Sequence, residues 1–159
     1  MNDKIRRFVR AERPETPYVV VDLDVVETNY RALTEVLPDS AVYYAVKANP
    51  APEVLELLAG MGSNFDAASV REIDDCLAAG ATPERISYGN TVKKARDIRA
   101  AFERGVRVFA FDSPAELDKL AENAPGSRVI CRLLTDGAGS DWPLSRKFGC
   151  APETADALL

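Results

Sequence analysis

The sequence has no histidine, which excludes imidazole-based triads, histidine metal ligands and histidine general bases from these 159 residues. Its cysteines, Cys76, Cys131 and Cys150, are widely spaced and form no C-x-x-C pair, so we predict neither disulfides nor a metal site, and a reducing cytoplasm as the setting. No apolar run approaches the roughly 20 residues of a membrane span. The net charge of −5, without a basic stripe, argues against nucleic-acid binding.

The chain instead alternates short apolar runs with helical patterns, which is typical of stacked strand and helix units. We predict six strands, each with β-branched or aromatic residues, and five helices between them. The predicted strands are residues 18–23, 41–47, 64–67, 85–88, 107–111 and 128–134. Strand starts about 20 residues apart, joined by short connections, imply parallel strands with right-handed crossovers.

Polar residues mark where several of these helices begin. Asp24 is predicted to cap the first helix, and Ser69 with Glu72 forms a capping box for the third. Ser113, followed by proline and by Glu116, is predicted to start the fifth.

Two architectures fit this order of elements. A doubly wound sheet would normally carry a glycine-rich first turn, which residues 22–25 lack, so we prefer a (β/α) barrel. A complete barrel has eight units and usually about 250 residues. We therefore predict an incomplete (β/α)8 TIM-type barrel over residues 18–159, with about six of eight strands, after a leader over residues 1–17. The chain would be part of a longer protein, a truncated product, or an open sheet that needs a partner.

Lys47 is the main candidate for chemistry, because it ends the apolar run over residues 41–47 just before Asn49 and Pro50. The C-terminal ends of barrel strands are where catalytic groups gather. A desolvated lysine has a lowered pKa and attacks carbonyls, so we predict a Schiff base with pyridoxal phosphate. The alternative is a lysine that merely extends from a strand end into solvent. Tyr43, Tyr44 and Trp142 are interpreted as packing residues.

Two further charged residues lie in or after predicted strands. Asp66 follows Phe65 and would reach the same rim as Lys47, where it could orient the amine or keep it protonated; otherwise it is a turn or cap residue. Arg132 lies within an apolar strand and would need an anionic partner, such as Glu72 or Asp66. The partner could be a carboxylate, a phosphate or a cofactor. Alternatively, Arg132 forms a buried ion pair that has no catalytic role.

The lysine segment and four later blocks, residues 65–73, 87–93, 109–113 and 145–149, resemble fold-type III pyridoxal-phosphate enzymes, the superfamily of alanine racemase and ornithine decarboxylase. The blocks occur in the family's order, and the resemblance covers roughly residues 17–159. Residues 136–149 look most like bacterial ornithine or lysine decarboxylases.

The resemblance implies that Lys47 carries the cofactor as an internal aldimine and that Asp66, Arg132 and Glu72 lie beside the cofactor. It places Lys147 near a subunit interface, although a solvated charge is the simpler interpretation. The loop over residues 135–141, rich in small residues, is either a lid over the site or a surface connection.

The implied activity is decarboxylation of ornithine to putrescine in a cytoplasmic homodimer, without nucleic-acid or membrane partners. Lysine decarboxylation is the nearest alternative. A noncatalytic binding protein resembling antizyme inhibitors is another, although such a protein would not need Lys47. The family's glycine-rich phosphate loop, cofactor-stacking histidine and pyridine-nitrogen acid normally follow residue 159, so we expect a protein limited to these residues to be inactive by itself.

Overall fold

A computed structural model of the chain describes residues 3–137, 139–141 and 147–158. It forms two compact units, Met1–Ser40 and Ala41–Leu159. None of the helices described in either unit is long and apolar enough to cross a membrane. The expected boundary after residue 17 concerns a complete protein and stays a prediction.

The first unit contains helices α1 (Asp3–Glu12) and α2 (Leu23–Val36). Asp22 caps α2, because its carboxylate accepts the Asp24 N–H at 3.2 Å. Lys4 Nζ lies 2.7 Å from Asp22 Oδ1 and 2.5 Å from Asp24 Oδ2, which ties α1 to the start of α2. The prediction that Asp24 caps this helix was wrong: Asp24 lies in the first turn instead.

The predicted strand over residues 18–23 is absent from the structure. Residues 18–22 form no helix or strand, α2 begins at Leu23, and Val19 is 90% exposed. A strand is held by hydrogen bonds from a neighbouring strand. None of the five strands in the described residues pairs with this segment, so its β-branched residues have no ladder to join.

The second unit is built on a parallel sheet whose strands lie side by side in chain order. The strands are β1 (Tyr43–Ala45), β2 (Asn64–Ala67), β3 (Ile86–Tyr88), β4 (Val108–Phe111) and β5 (Arg128–Cys131). A doubly wound sheet reverses its strand order, whereas this sheet does not. The chain is therefore an incomplete (β/α)8 barrel, as predicted, with five strands described rather than six.

Two of these strands end earlier than predicted. β1 stops at Ala45, and a 3₁₀ turn (Val46–Ala48) follows it. β5 stops at Cys131, so Arg132 lies beyond the strand and not inside it. The apolar run of β1 continues as the 3₁₀ turn, whereas backbone pairing goes on past β5, since the Arg132 N–H donates to Phe111 O at 2.8 Å and Leu133 forms a parallel bridge with Cys150.

Helices connect the strands and continue past β5. They are α3 (Pro52–Gly60), α4 (Val70–Ala78), α5 (Ala95–Glu103), α6 (Pro114–Asn123) and α7 (Pro152–Leu158). The predicted capping of α4 is confirmed in part: Ser69 Oγ accepts the Glu72 N–H at 3.2 Å, but Glu72 Oε2 accepts the N–H of Ala68 at 2.6 Å rather than that of Ser69 itself. Ser113 precedes α6 as predicted, but its side chain makes no capping hydrogen bond.

The core lies between the sheet and the helices that cover it. All four residues of β4 are buried, as expected for a strand that has neighbours on both sides and a helix layer above it. The largest buried side chains come from both layers: Phe65, Ile86, Phe109 and Phe111 from strands, and Leu55, Ile73, Ile98 and Leu120 from helices. This layer fixes the strand ends on which the site is built.

Candidate active site

Three neighbouring strands bring polar groups to one edge of the sheet. In the register, Ala45 of β1 lies level with Asp66 of β2, and Asp66 lies level with Ser87 of β3. Lys47 follows β1 by two residues, and Gly89 follows β3 directly. Because the strands are parallel, these residues share the C-terminal edge, where barrel enzymes hold their reacting groups.

A cavity of about 310 Å³ opens at this edge. Its wall combines residues from four strand ends with two from the segment that precedes Cys150. The lining residues are Lys47, Asp66, Ala68, Gly89, Asn90, Arg132, Lys147 and Phe148. Three cations and one carboxylate line the wall, so its charge favours an anionic ligand. The volume is within the usual range for small-molecule sites, about 300–1,000 Å³.

Asp66 is the fixed anion of this cavity. It is half-buried, and its Oδ1 accepts a hydrogen bond from Ser87 Oγ at 2.8 Å. A Cβ at Gly89 would collide with the Asp66 carboxylate, so a residue larger than glycine would force that carboxylate to move. Gly89 N–H also donates to Ala67 O at 2.9 Å, which continues the strand pairing one step past Tyr88. Sequence reasoning placed Asp66 at this rim but did not anticipate its two supports, Ser87 and Gly89.

Lys47 lies in the 3₁₀ turn after β1 and its side chain is exposed. The alternative of a buried, desolvated amine was wrong, because β1 is three residues long and ends before Lys47. The turn is held by Tyr44, whose hydroxyl donates to Asn49 O at 3.1 Å, and by Asn49 Oδ1, which accepts the Ala51 N–H at 3.1 Å. No ion pair described in residues 3–137, 139–141 and 147–158 includes Lys47, so its amine faces the cavity without a fixed carboxylate.

The two tyrosines before Lys47 differ in their packing. Tyr44 packs edge-on against Phe65, with ring centroids 6.4 Å apart, which confirms its predicted role. Tyr43 is 42% exposed, so the packing prediction was wrong for that residue. Trp142 lies outside the described residues.

Arg132 is exposed, whereas the sequence predicted a buried guanidinium paired with Glu72 or Asp66. Its Cζ lies 5.5 Å from the centroid of the Phe148 ring, and Lys147 Nζ lies 5.8 Å from the same ring. Both cations thus lie within cation–π range of the Phe148 ring. The ion pairs described in the structure do not include Arg132, because the side chain lies beyond β5, where water solvates it.

Glu72 does not line the cavity. Its carboxylate is occupied by the Ala68 N–H, one residue before the cap of α4. Since Ala68 is a wall residue, this hydrogen bond helps to hold the backbone of the wall in place. Its predicted direct contact with a cofactor stays a prediction.

Sequence reasoning missed a buried ionic network behind the cavity. Lys93 Nζ lies 2.9 Å from Glu116 Oε1, with side chains that are 0% and 2% exposed. The ammonium also donates to Asn90 O at 2.8 Å and to Ala110 O at 2.6 Å. Burial lowers the pKa of Lys93, while Glu116 opposes that shift. The sequence identified Glu116 only as a residue at the start of a helix, three positions after Ser113. Nothing in the sequence indicated that it pairs with Lys93.

The segment before Cys150 is anchored to the sheet by backbone contacts. Gly149 N–H donates to Asp112 Oδ2 at 2.9 Å, and Gly149 has a φ of 114°, where a Cβ would meet the Leu133 backbone. The described residues of the predicted lid, 135–137 and 139–141, are not among those that line the cavity, and the lid stays a prediction. Residues 138 and 142–146 lie outside the described part.

The cavity residues fit a small, flat, anionic aldehyde. Lys47 supplies an amine, and the small residues Ala68 and Gly89 contribute little side-chain bulk to the wall that also carries Asp66. Arg132 and Lys147 supply positive charge that suits a phosphate. Within the described residues, no group of three metal-ligating side chains is present.

Comparison with known proteins gives a consistent result. Residues 23–159 match the family model described as pyridoxal-dependent decarboxylase, pyridoxal binding domain. The chain is 44% identical over 149 residues to a lysine/ornithine decarboxylase of Selenomonas ruminantium, which covers 94% of this chain and 38% of that protein. It is 38% identical over 143 residues to antizyme inhibitor 2 of Xenopus laevis, covering 89% of this chain and 31% of that protein.

A solved structure shows the same relationship. The crystal structure of SrLDC in complex with PLP and cadaverine superposes with a TM-score of 0.86 at 40% sequence identity, covering 99% of this chain and 39% of that chain. The present chain thus spans about two fifths of that protein's length.

Proposed function

The chain belongs to the pyridoxal-dependent decarboxylase family, of which it is the pyridoxal-binding domain, and from that membership we propose that the whole protein decarboxylates ornithine to putrescine. The observation that carries the proposal is the cavity at the C-terminal edge of the sheet, where Lys47 and Asp66 line one wall. A homodimer in the cytoplasm is part of the same proposal.

The cofactor, pyridoxal phosphate, supplies an electron sink for the electron pair that remains on the α carbon when carbon dioxide leaves. We assign Lys47 to hold it, because its amine reaches the cavity from a turn that two side-chain hydrogen bonds stabilise. An exposed lysine needs no compensation for burial, so its amine is free to bind a carbonyl carbon and to move a proton at the substrate.

We assign Asp66 to orient the bound cofactor and to balance positive charge beside it. Its Oδ1 accepts from Ser87, which leaves its other oxygen for a ligand or for the Lys47 ammonium. A carboxylate beside a cationic group favours the protonated state of that group. Asp66 would therefore keep a proton available at the reacting centre.

Arg132 and Lys147 are assigned to attract the anionic parts of cofactor and substrate. Both cations lie at similar distances from the Phe148 ring and line the same cavity, so the wall carries positive charge there. Glu72 contributes indirectly by fixing Ala68. These assignments predict that loss of one cation weakens binding, while loss of Lys47 abolishes covalent attachment.

Two other candidates have specific support. Lysine decarboxylation is favoured by the 44% identical relative named as a lysine/ornithine decarboxylase. A noncatalytic binding role is favoured by the similarity to antizyme inhibitor 2. The presence of Lys47 in the cavity supports the catalytic proposals over the binding role, because a protein that only binds a partner has no use for that amine.

The test is borohydride reduction of the protein in the presence of pyridoxal phosphate, followed by peptide mass mapping. We expect one cofactor on Lys47, none on the Lys47→Ala variant, and normal labelling in a Lys94→Ala control, whose exposed lysine lies outside the cavity. Release of labelled carbon dioxide from ornithine and from lysine then decides the substrate. Absence of label on Lys47, with normal binding of a protein partner, would replace the enzyme proposal with the binding role.

A further inference from the structure

Two cysteines at the edge of the sheet lie close together, although 19 positions separate them in the chain. Cys131 is the last residue of β5, and its Sγ lies 3.6 Å from the Sγ of Cys150. Both are free thiols. A disulfide has an S–S length of about 2.05 Å, so the two sulfur atoms need a further approach of roughly 1.5 Å to bond.

The backbones around these thiols are already paired. Cys150 N–H donates to Arg132 O at 3.0 Å, and Leu134 N–H donates to Cys150 O at 2.8 Å. Leu133 and Cys150 form a parallel bridge, which extends the pairing beyond the end of β5. The backbone therefore keeps the two side chains together without any covalent link.

Cys76 provides a contrast within the same chain. It is buried in α4, and burial together with Glu72 and Asp75 raises its pKa to about 12. No disulfide or close thiol contact is described for Cys76 in the part of the chain that the structure covers. Its burial and pKa make it inert towards oxidants.

We propose that Cys131 and Cys150 form a redox site that closes to an intramolecular disulfide by exchange with a low-molecular-weight disulfide such as glutathione disulfide. In the first step the Cys131 thiolate attacks one sulfur of glutathione disulfide, and one glutathione thiolate leaves. In the second, the Cys150 thiolate attacks Cys131 Sγ of the mixed disulfide and releases the second glutathione thiolate. Two protein protons pass to the two glutathione thiolates, the cysteines are oxidised, and glutathione disulfide is reduced.

The order of the two steps follows from exposure. Cys131 is half-buried, so glutathione disulfide can reach it. Cys150 is 8% exposed, so its thiolate attacks only the mixed disulfide that has formed on the neighbouring Cys131. Partial burial, followed by the hydrogen bond with Cys150 and by nearby Asp112, raises the pKa of Cys131. The attacking species is the thiolate, so the rate should rise by about tenfold per pH unit at pH values well below that pKa.

The prediction that the cysteines form no disulfide rested on their spacing along the chain. The fold brings Cys131 and Cys150 together because the chain leaves β5 after Cys131 and later returns, so that Cys150 pairs with residues 132–134. The bridge would lie beside the cavity wall, since Arg132 follows one cysteine and Phe148 precedes the other by two residues. Its formation can be measured without any cofactor and is independent of the proposed decarboxylation.

The experiment incubates the reduced chain with glutathione disulfide at mildly alkaline pH and follows intact mass and peptide maps. We expect loss of two hydrogen atoms, a Cys131–Cys150 cross-linked peptide, no retained glutathione, and recovery of both thiols with dithiothreitol. The Cys150→Ser variant should instead accumulate one glutathione on Cys131, and the Cys76→Ser control should close the bridge as the parent does.

The parent protein alone keeps the test decisive if a variant folds poorly, because peptide mapping needs no substitution. Three outcomes would each overturn the proposal. The parent could keep stable glutathione adducts, it could form a disulfide between two chains, or its thiols could persist while glutathione disulfide oxidises a reference dithiol.

Discussion

Lys47 and Lys93 both follow strands of the same sheet, yet the structure gives them opposite surroundings. Lys47 is exposed at the cavity, and the described ion pairs do not include it. Lys93 is buried behind the cavity and is held by Glu116 and two backbone carbonyls. The comparison shows that an apolar sequence context does not identify a buried lysine: Lys47 ends a long apolar run, whereas Lys93 lies between Val92 and Lys94 in a mixed segment.

The difference in surroundings implies a difference in role. The fixed ammonium of Lys93 joins Asn90, which lines the cavity, to Ala110 of β4 and to α6. An amine with all of its hydrogen-bond capacity occupied has no donor left for a ligand. Lys93 therefore supports the wall, and Lys47 is left for chemistry.

Replacement of Lys93 should have the largest effect on stability. Lys93→Met removes one of the two ammonium groups described at buried Glu116, which keeps Lys119, 2.5 Å from its Oε2, and the backbone N–H of residue 93. Breaking a buried ion pair by removing one partner typically costs about 3–5 kcal/mol. We expect a loss of about 3 kcal/mol in the free energy of unfolding, measured with urea.

The matched control for that prediction is Lys47→Met, which should change the free energy of unfolding by no more than about 0.5 kcal/mol, because the side chain is exposed. The double variant Lys93→Met/Glu116→Leu should recover part of the loss, since neither charge is then left unpaired. Equal destabilisation by the two single methionine variants would break the comparison between the lysines.

Gly89→Ala should have the next largest effect on stability. It tests the cavity that Lys47 lines, whereas Lys93→Met tests the buried network behind that cavity. The added Cβ collides with the Asp66 carboxylate and displaces it from Ser87. Overpacking usually costs about 1–3 kcal/mol, so we expect a loss in that range together with reduced borohydride labelling of Lys47.

Gly60→Ala is the control, because a Cβ there meets no atom within 4 Å and Gly60 lies at the end of α3. We expect its stability to stay within about 1 kcal/mol of the parent and its labelling to be unchanged. If Gly89→Ala binds the cofactor normally, the position of Asp66 does not define the cavity.

Tyr88 gives a smaller effect, visible only at alkaline pH. Its ring lies 5.5 Å from Lys93 Nζ, and burial, followed by Asp97, Glu116 and Glu72, raises its pKa from 10.0 to about 12. A raised pKa means that the folded state keeps the proton longer than the unfolded state does. The resulting stability is complete below pH 10 and is lost as the pH rises to about 12.

The measurement compares unfolding free energies of the parent and Tyr88→Phe across that pH window. One pKa unit corresponds to about 1.4 kcal/mol, so the parent should lose on the order of 2 kcal/mol more than the variant. Tyr43→Phe serves as the control for loss of a phenol at the surface, because Tyr43 is 42% exposed. If the stabilities of the parent and Tyr88→Phe fall in parallel with pH, the buried surroundings of Tyr88 beside Lys93 do not raise the pKa of its phenol.

Much of the fold could be predicted from local pattern. Strand β4 and the short strands β2 and β3 lie within one residue of their predicted bounds, because runs of buried apolar residues bounded by polar turns leave few alternatives. The capping of α4 by Ser69 was also predicted, since its hydrogen bond from the Glu72 N–H is local. The segment over residues 18–22 failed because strand formation depends on a neighbour.

The candidate site was predicted in part. The sequence identified Asp66 and Lys47 as residues at strand ends, and both line the cavity. It left open whether Lys47 is exposed and did not predict that Arg132 is, because exposure depends on what packs over a strand end rather than on the hydrophobicity of the strand. It also missed Ser87 and Gly89, whose importance comes from the register with Asp66.

By itself the sequence determined the alternation of strands and helices, the capping of α4 and the placement of Lys47 and Asp66 at strand ends, since these depend on periodicity and on neighbours a few residues apart. Only the tertiary structure decided which lysine is buried with Glu116 and which two cysteines meet. Both contacts join residues separated by about 20 positions, Lys93 to Glu116 and Cys131 to Cys150. Such contacts exist only when parallel strands and their crossovers have brought distant segments side by side.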